Sequence, residues 1–186
     1  MSVLLDSART QLLVVDVQER LLPAMAQGED ILAGCLRLVQ AAAILDVPVS
    51  VSEQYPKGIG PSVAALRERL PNSARSFEKL SFSCMGDPAI AERVRALADD
   101  GRDQVLICGI EAHVCVLQTA IEAHEAGLPV YVAADAVGSR APQSRELALA
   151  RMARAGVEIV TAEMAIFEWQ RVAGAGHFKA LMALVK

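Results

Sequence analysis

Short runs of Val, Ile and Leu recur along this chain and alternate with longer stretches of Ala, Leu, Arg and Glu at helical spacing. A strand that is apolar on both faces must be covered on both faces, and each return to a parallel neighbour requires a crossover of about a dozen residues, usually a helix. The alternation therefore predicts an α/β fold: a six-stranded, mostly parallel sheet with helices on both faces, three layers deep and Rossmann-like in topology. Strands are expected at 12–17, 47–52, 76–79, 104–109, 130–134 and 157–160, and helices at 31–45, 62–70, 88–98, 113–126 and 143–155.

The punctuation agrees with this reading. Asp87-Pro88 has the form of an N-cap followed by proline at the first helical position, and Gly127 and Gly156 stand where helix ends favour a left-handed residue. Residues 54–61, Gln-Tyr-Pro-Lys-Gly-Ile-Gly-Pro, form the best candidate for a long loop, and they follow the carboxyl end of a strand. In open α/β sheets ligands bind at that edge.

No linker divides the 186 residues, and a hydrophobic fraction of 53 % is enough to fill one sizeable core, so 1–186 is expected to be a single domain. The net charge is −4 and basic residues are interleaved with acids, as in Arg67-Glu68-Arg69, which disfavours nucleic acid as a partner. No apolar run approaches the ~18 residues of a membrane span, and Asp6 and Arg9 stand where a secretory signal would be apolar. The expectation is a cytoplasmic protein with no membrane partner. Cys35, Cys84, Cys108 and Cys115 lack C-x-x-C spacing and are expected to be free thiols. No G-x-G-x-x-G follows the first strand, so no dinucleotide cofactor is expected.

Three polar residues fall where strands end or helices begin. Asp16 interrupts the apolar run Leu12-Leu13-Val14-Val15-Asp16-Val17, where a carboxylate needs either a partner or a turn to cap. Lys79 closes Ser76-Phe77-Glu78-Lys79; alone, a lysine there reads as a solvated edge charge. Cys115 lies in the first turn of the helix after the fourth strand, where unpaired N–H groups and the helix dipole favour thiolate and a nearby cation such as Lys79 favours it further. An isolated cysteine is more often a small buried hydrophobe, which is the reading for Cys35 and Cys108.

Leu13-Val14-Val15-Asp16-Val17-Gln18, Phe77-Glu78-Lys79 and Gly109-Ile110-Glu111-Ala112-His113-Val114-Cys115-Val116 resemble, in order and spacing, the three signature segments of the isochorismatase-like, or cysteine-hydrolase, superfamily. Ser52-Glu53-Gln54-Tyr55-Pro56-Lys57-Gly58 is similar to its compact isochorismatase-domain proteins. The resemblance implies a catalytic triad of Asp16, Lys79 and Cys115 acting on an amide-type C–N bond of a small molecule through a thioester. It also implies a non-proline cis peptide between Ile110 and Glu111 that aims the N–H groups of Glu111 and Cys115 at an oxyanion, and a homo-oligomer, dimer or larger. Metal-dependent members carry Asp-x-His after the second strand; here Glu53-Gln54-Tyr55 stands there and no histidine precedes His113, so neither metal nor cofactor is expected. Isochorismatases proper lack the nucleophilic cysteine, so Cys115 argues against that namesake reaction.

Gln18, Tyr55, Ile59, Phe82 and His113 lie on the loops of the expected rim and are candidates for the substrate pocket. His113 is two residues from Cys115, a spacing that does not bring helical side chains together. The apolar tail from Ala162 through Trp169 to Phe178 is expected to dock, on its own domain or on a second subunit. The alternative to a hydrolase is a catalytically weak or redox-responsive binding protein on the same fold.

Overall fold

The computed structural model describes residues 3–174 and 176–185. Six strands, β1 (Thr10–Val15), β2 (Val49–Gln54), β3 (Arg75–Lys79), β4 (Gln104–Ile110), β5 (Val130–Gly138) and β6 (Glu158–Val160), form one sheet in the order β3-β2-β1-β4-β5-β6. Every pairing is parallel, so the mostly parallel expectation is met in full. Chain order reverses between β1 and β4, and the carboxyl ends of these two strands flank the crevice where this topology places ligands.

Alternation along β1 distributes the core. Leu12 and Val14 face the layer of α1 (Gly28–Ile44), α7 (Ala162–Gln170) and α8 (Phe178–Met182), while Leu13 and Val15 face α4 (Pro88–Asp99), α5 (Leu117–Glu125) and α6 (Pro142–Arg154). Asp87 caps α4 as its sequence suggests, its carboxylate accepting the N–H groups of Ala89 and Ile90 at 3.0 and 3.2 Å. The tail docks on its own chain: Trp169 is buried, and its indole N–H donates to the Thr10 hydroxyl at 3.0 Å. Among the described residues no helix is long and apolar enough to cross a membrane.

Two expectations need correction. The helix at 62–70 is only one turn, α3 (Ala64–Arg67), because residues 61–63 are held extended: Glu19 N–H donates to the Pro61 carbonyl, and Val63 N–H to that of Val17. The preceding loop contains a turn of its own, α2 (Pro56–Ile59). Conversely β5 runs on past Asp135 to Gly138, through an irregularity opposite Ile107 to Gly109.

Gly109 adopts φ +113°, and a Cβ there would fall inside the contact radius of the Val15 carbonyl oxygen. The β1–β4 crevice therefore depends on a residue without a side chain. Gly109→Ala is expected to cost about 1–3 kcal/mol, visible as a lower Tm by circular dichroism. An unchanged Tm would show that the two strands have room to part.

Candidate active site

β1 ends at Asp16 because the chain turns there through φ +52°, a left-handed conformation that aspartate tolerates better than most residues. The side chain is fully buried. Its Oδ1 accepts the Ser52 hydroxyl at 2.7 Å and its Oδ2 accepts Lys79 Nζ at 2.8 Å. Both partners follow from register: Ser52 on β2 lies beside Val15, and Lys79 on β3 lies beside Gln54.

The Asp16 and Lys79 side chains have no exposed surface. Such a pair persists only if its remaining hydrogen-bonding capacity is met. Lys79 Nζ also donates to Gln54 Oε1 at 2.6 Å and to the carbonyls of Phe82 and Ser81 at 3.0 and 3.3 Å. Gln54 in turn donates to the Leu80 carbonyl at 2.8 Å, tying the loop after β3 to the ammonium that the loop surrounds. Gln54→Met, similar in length but without the amide, should cost about 1.5–3 kcal/mol in urea unfolding, since it removes a hydrogen bond to a charged group. A cost near zero would mean that the loop carbonyls suffice.

Cys115 is 6 % exposed and lies in a π-helical turn, Ala112–Val116, instead of the α-helical start expected from the sequence. Burial pushes its thiol up to about 12, the Asp16 charge and a hydrogen bond to Asp16 push the same way, and Lys79 opposes them. The expected resting thiolate is thus overturned. Lys79 spends its charge on Asp16, and an already closed ion pair compensates a second anion poorly. Burial favours the thiol form of this sulfur beside Asp16, an arrangement suited to passing a proton as the bond to carbon forms.

Beside it, the Ile110–Glu111 peptide is cis, and the Glu111 carbonyl accepts the N–H groups of Val114 and Val116 at 3.1 and 3.2 Å. The Glu111 carboxylate pairs with Arg140 Nε at 3.0 Å. His113 Nδ1 lies 2.9 Å from the Ser139 hydroxyl, so this histidine is engaged with Ser139.

The expected pocket residues separate. Gln18 is fully buried: its Nε2 donates to the carbonyls of Gln54 and Gly60 at 3.0 and 2.6 Å, and its Oε1 accepts Gln54 N–H at 2.8 Å. It braces the 54–61 loop and does not line an open pocket, correcting that expectation. Tyr55 and Phe82 are exposed and Ile59 is half-buried. A cavity of about 530 Å³ outside β3 takes Tyr55, Lys57, Leu80, Ser81 and Asp87 into its wall, but not Ile59, Phe82 or His113. The residues that sequence reasoning missed are Ser52 and Gln54; their signal was the run of polar residues Ser50, Ser52 and Gln54 on one face of a mostly buried strand. Among the described residues no group of three or more His, Cys, Asp and Glu could hold a metal ion.

Known proteins resemble this chain along most of its length. Residues 10–164 match the Isochorismatase domain family. The chain is 36 % identical over 178 residues to isochorismatase domain-containing protein 2A of Mus musculus, covering 94 % of this chain and 82 % of that one. It superposes with a TM-score of 0.91 on a structure described as the MAR1 ribonuclease of Caenorhabditis elegans, at 35 % identity over 97 % of this chain and 91 % of that one. A third similar structure is the YcaC product of Escherichia coli, described as an octameric hydrolase of unknown specificity, with a TM-score of 0.87 at 25 % identity over 100 % of this chain and 88 % of that one.

Proposed function

The chain belongs to the isochorismatase family, and from that premise we propose that it is a metal-independent cysteine hydrolase cleaving an amide-type C–N bond of a small molecule. The observation that carries this reading is the buried Asp16–Lys79 pair at 2.8 Å, with the nearly buried Cys115 thiol close enough to feel the same carboxylate. A buried ion pair is costly to maintain for stability alone. Here it fixes a proton acceptor beside a nucleophile.

In this mechanism Cys115 Sγ attacks the substrate carbonyl while its proton passes to Asp16. Negative charge leaves the carboxylate and reappears on the substrate oxygen, held by the N–H groups of Glu111 and Cys115. The buried site's net charge is unchanged, so no solvation is needed during the step. Asp16 then protonates the departing ammonia or amine, a thioester remains, and water deprotonated by Asp16 releases the acid and restores the thiol. Lys79 holds the Asp16 carboxyl in place between these transfers.

The test separates thiol reactivity from turnover. In the wild type, iodoacetamide labelling of Cys115 should rise with pH without a plateau below about pH 9, because burial and the Asp16 charge push the folded thiol well above its usual range. Asp16→Asn removes two of the influences holding the thiol protonated and leaves Lys79, so labelling at neutral pH should accelerate while amide turnover collapses. Cys35, Cys84 and Cys108 serve as internal controls. A plateau below about pH 8 in the wild type, or a Cys115 that resists labelling throughout, would sink the reading.

Residues 1–186 act as one hydrolase domain in this proposal, requiring no cofactor. Assembly into a homo-oligomer, dimer or larger, is supported by the octameric E. coli neighbour and by the exposed Tyr55, Leu80 and Phe82 on the active rim. Four free cysteines suit the reducing cytoplasm. The ribonuclease reading attached to the C. elegans neighbour is not adopted: the net charge here is −4, basic residues are interleaved with acids along the sequence, and Lys79 is buried on Asp16 instead of free for a phosphate.

A further inference from the structure

The mechanism above uses one of two thiols that border the same ion pair. Cys84, in the loop between β3 and α4, is fully buried, and its Sγ lies 3.5 Å from Ser52 Oγ, the hydroxyl that donates to Asp16 Oδ1 at 2.7 Å. Its backbone N–H donates at 2.8 Å to the Thr119 hydroxyl, one helical turn beyond Cys115. Cys84 thus reaches Asp16 through Ser52, and its backbone is tied to the helical face that carries Cys115 four residues before Thr119. They share one apolar cluster, and Cys84 lies close enough to oppose ionisation of Cys115. Hydrolysis has no need of this second sulfur.

We propose that Cys84 is a resolving thiol, and that Cys84 and Cys115 form a reversible disulfide when Cys115 meets a hydroperoxide. Cys115 Sγ attacks the terminal peroxide oxygen, the O–O bond breaks, and water or an alcohol leaves with the thiol proton; the sulfur is oxidised to sulfenic acid and the peroxide reduced. Cys84 Sγ then displaces hydroxide from that sulfenic acid, its own proton relayed through Ser52 and Asp16 completes the departing water, and an S–S bond remains. One peroxide is consumed for two thiols lost. Cys84 is too buried to be the first target, whereas Cys115, at 6 % exposure, retains an opening. The disulfide would hold the nucleophile short of the irreversible sulfinic acid, and a small thiol reductant would return it to service.

This inference rests on Cys115 being the reactive thiol. The full-length protein is treated with about one to five equivalents of hydrogen peroxide, quenched with N-ethylmaleimide, digested without reductant and examined by mass spectrometry. The expected result is a linked Cys84–Cys115 peptide pair that dithiothreitol reverses, with Cys35 and Cys108 still alkylated. In Cys84→Ser, Cys115 should proceed to sulfinic acid about tenfold faster than in the wild type. Cys84→Ala provides a second variant if the serine destabilises the loop, and the linked peptide is read on the wild type in any case. Rapid iodoacetamide labelling of Cys115 with no linked peptide, or equal over-oxidation with and without Cys84, overturns the resolving role and leaves the hydrolase reading intact. A Cys115 inert to both iodoacetamide and peroxide overturns both.

Discussion

Cys115→Ala should lose at least about a thousandfold in turnover on any amide that the wild type hydrolyses, with Tm within a few degrees. The sulfur is the only atom of the proposed set that bonds to substrate, so alignment by Glu111 and proton transfer by Asp16 have nothing to act on without it. The fold tolerates the change because a methyl replaces a small, buried side chain and leaves Asp16 and Lys79 paired. Cys115→Ser should be almost as inactive, since a hydroxyl ionises with more difficulty than a thiol and attacks more slowly. Full activity in Cys115→Ala, measured as ammonia or amine release, would end the thioester mechanism.

The second large effect concerns stability. Lys79→Met leaves the buried Asp16 carboxylate with the Ser52 hydroxyl but no cation, and stranding one half of a buried pair costs about 3–5 kcal/mol. At about 2–4 °C of Tm per kcal/mol for a chain of this size, thermal unfolding would show it plainly. The double variant Lys79→Met with Asp16→Leu should recover most of the loss, because the penalty belongs to the stranded charge and not to missing packing. If the single variant cost less than about 1 kcal/mol, the pair would have to be far better hydrated than its zero exposure indicates.

Much of the frame could be read from residue pattern because burial on both faces leaves so few polar residues in the strands. The β1 and β4 runs were legible for that reason, and Asp16 stood out against Leu12 to Val15. The end of β5 was not, since Asp135 breaks the apolar run while the backbone pairing continues to Gly138. Nor was the one-turn α3, where contacts from Val17 and Glu19 override the helical spacing of residues 62–70. The support given by Ser52 and Gln54 depends on which residue of β2 lies beside which residue of β1 and β3, and register is not a local property. The state of Cys115 was misjudged for a related reason. A helix start and a nearby lysine argue for thiolate, but burial of the sulfur outweighs them and the Asp16 charge adds to it, and neither can be read locally.

The placement of Asp16 and Lys79, 63 residues apart in sequence, has a consequence for how the protein is made. Their pairing closes only after β2 has been inserted between β1 and β3, while β1 itself is clasped by Trp169, 159 residues after Thr10. Such distant contacts form late, because chain entropy must be lost before they reward it. On the ribosome Asp16 and Lys79 therefore emerge before Cys115, and the carboxylate meets the sulfur only once β4 has joined β1. Chemical competence arrives with completion of the sheet, so a nascent chain is spared a working nucleophile before it has a fold to contain it.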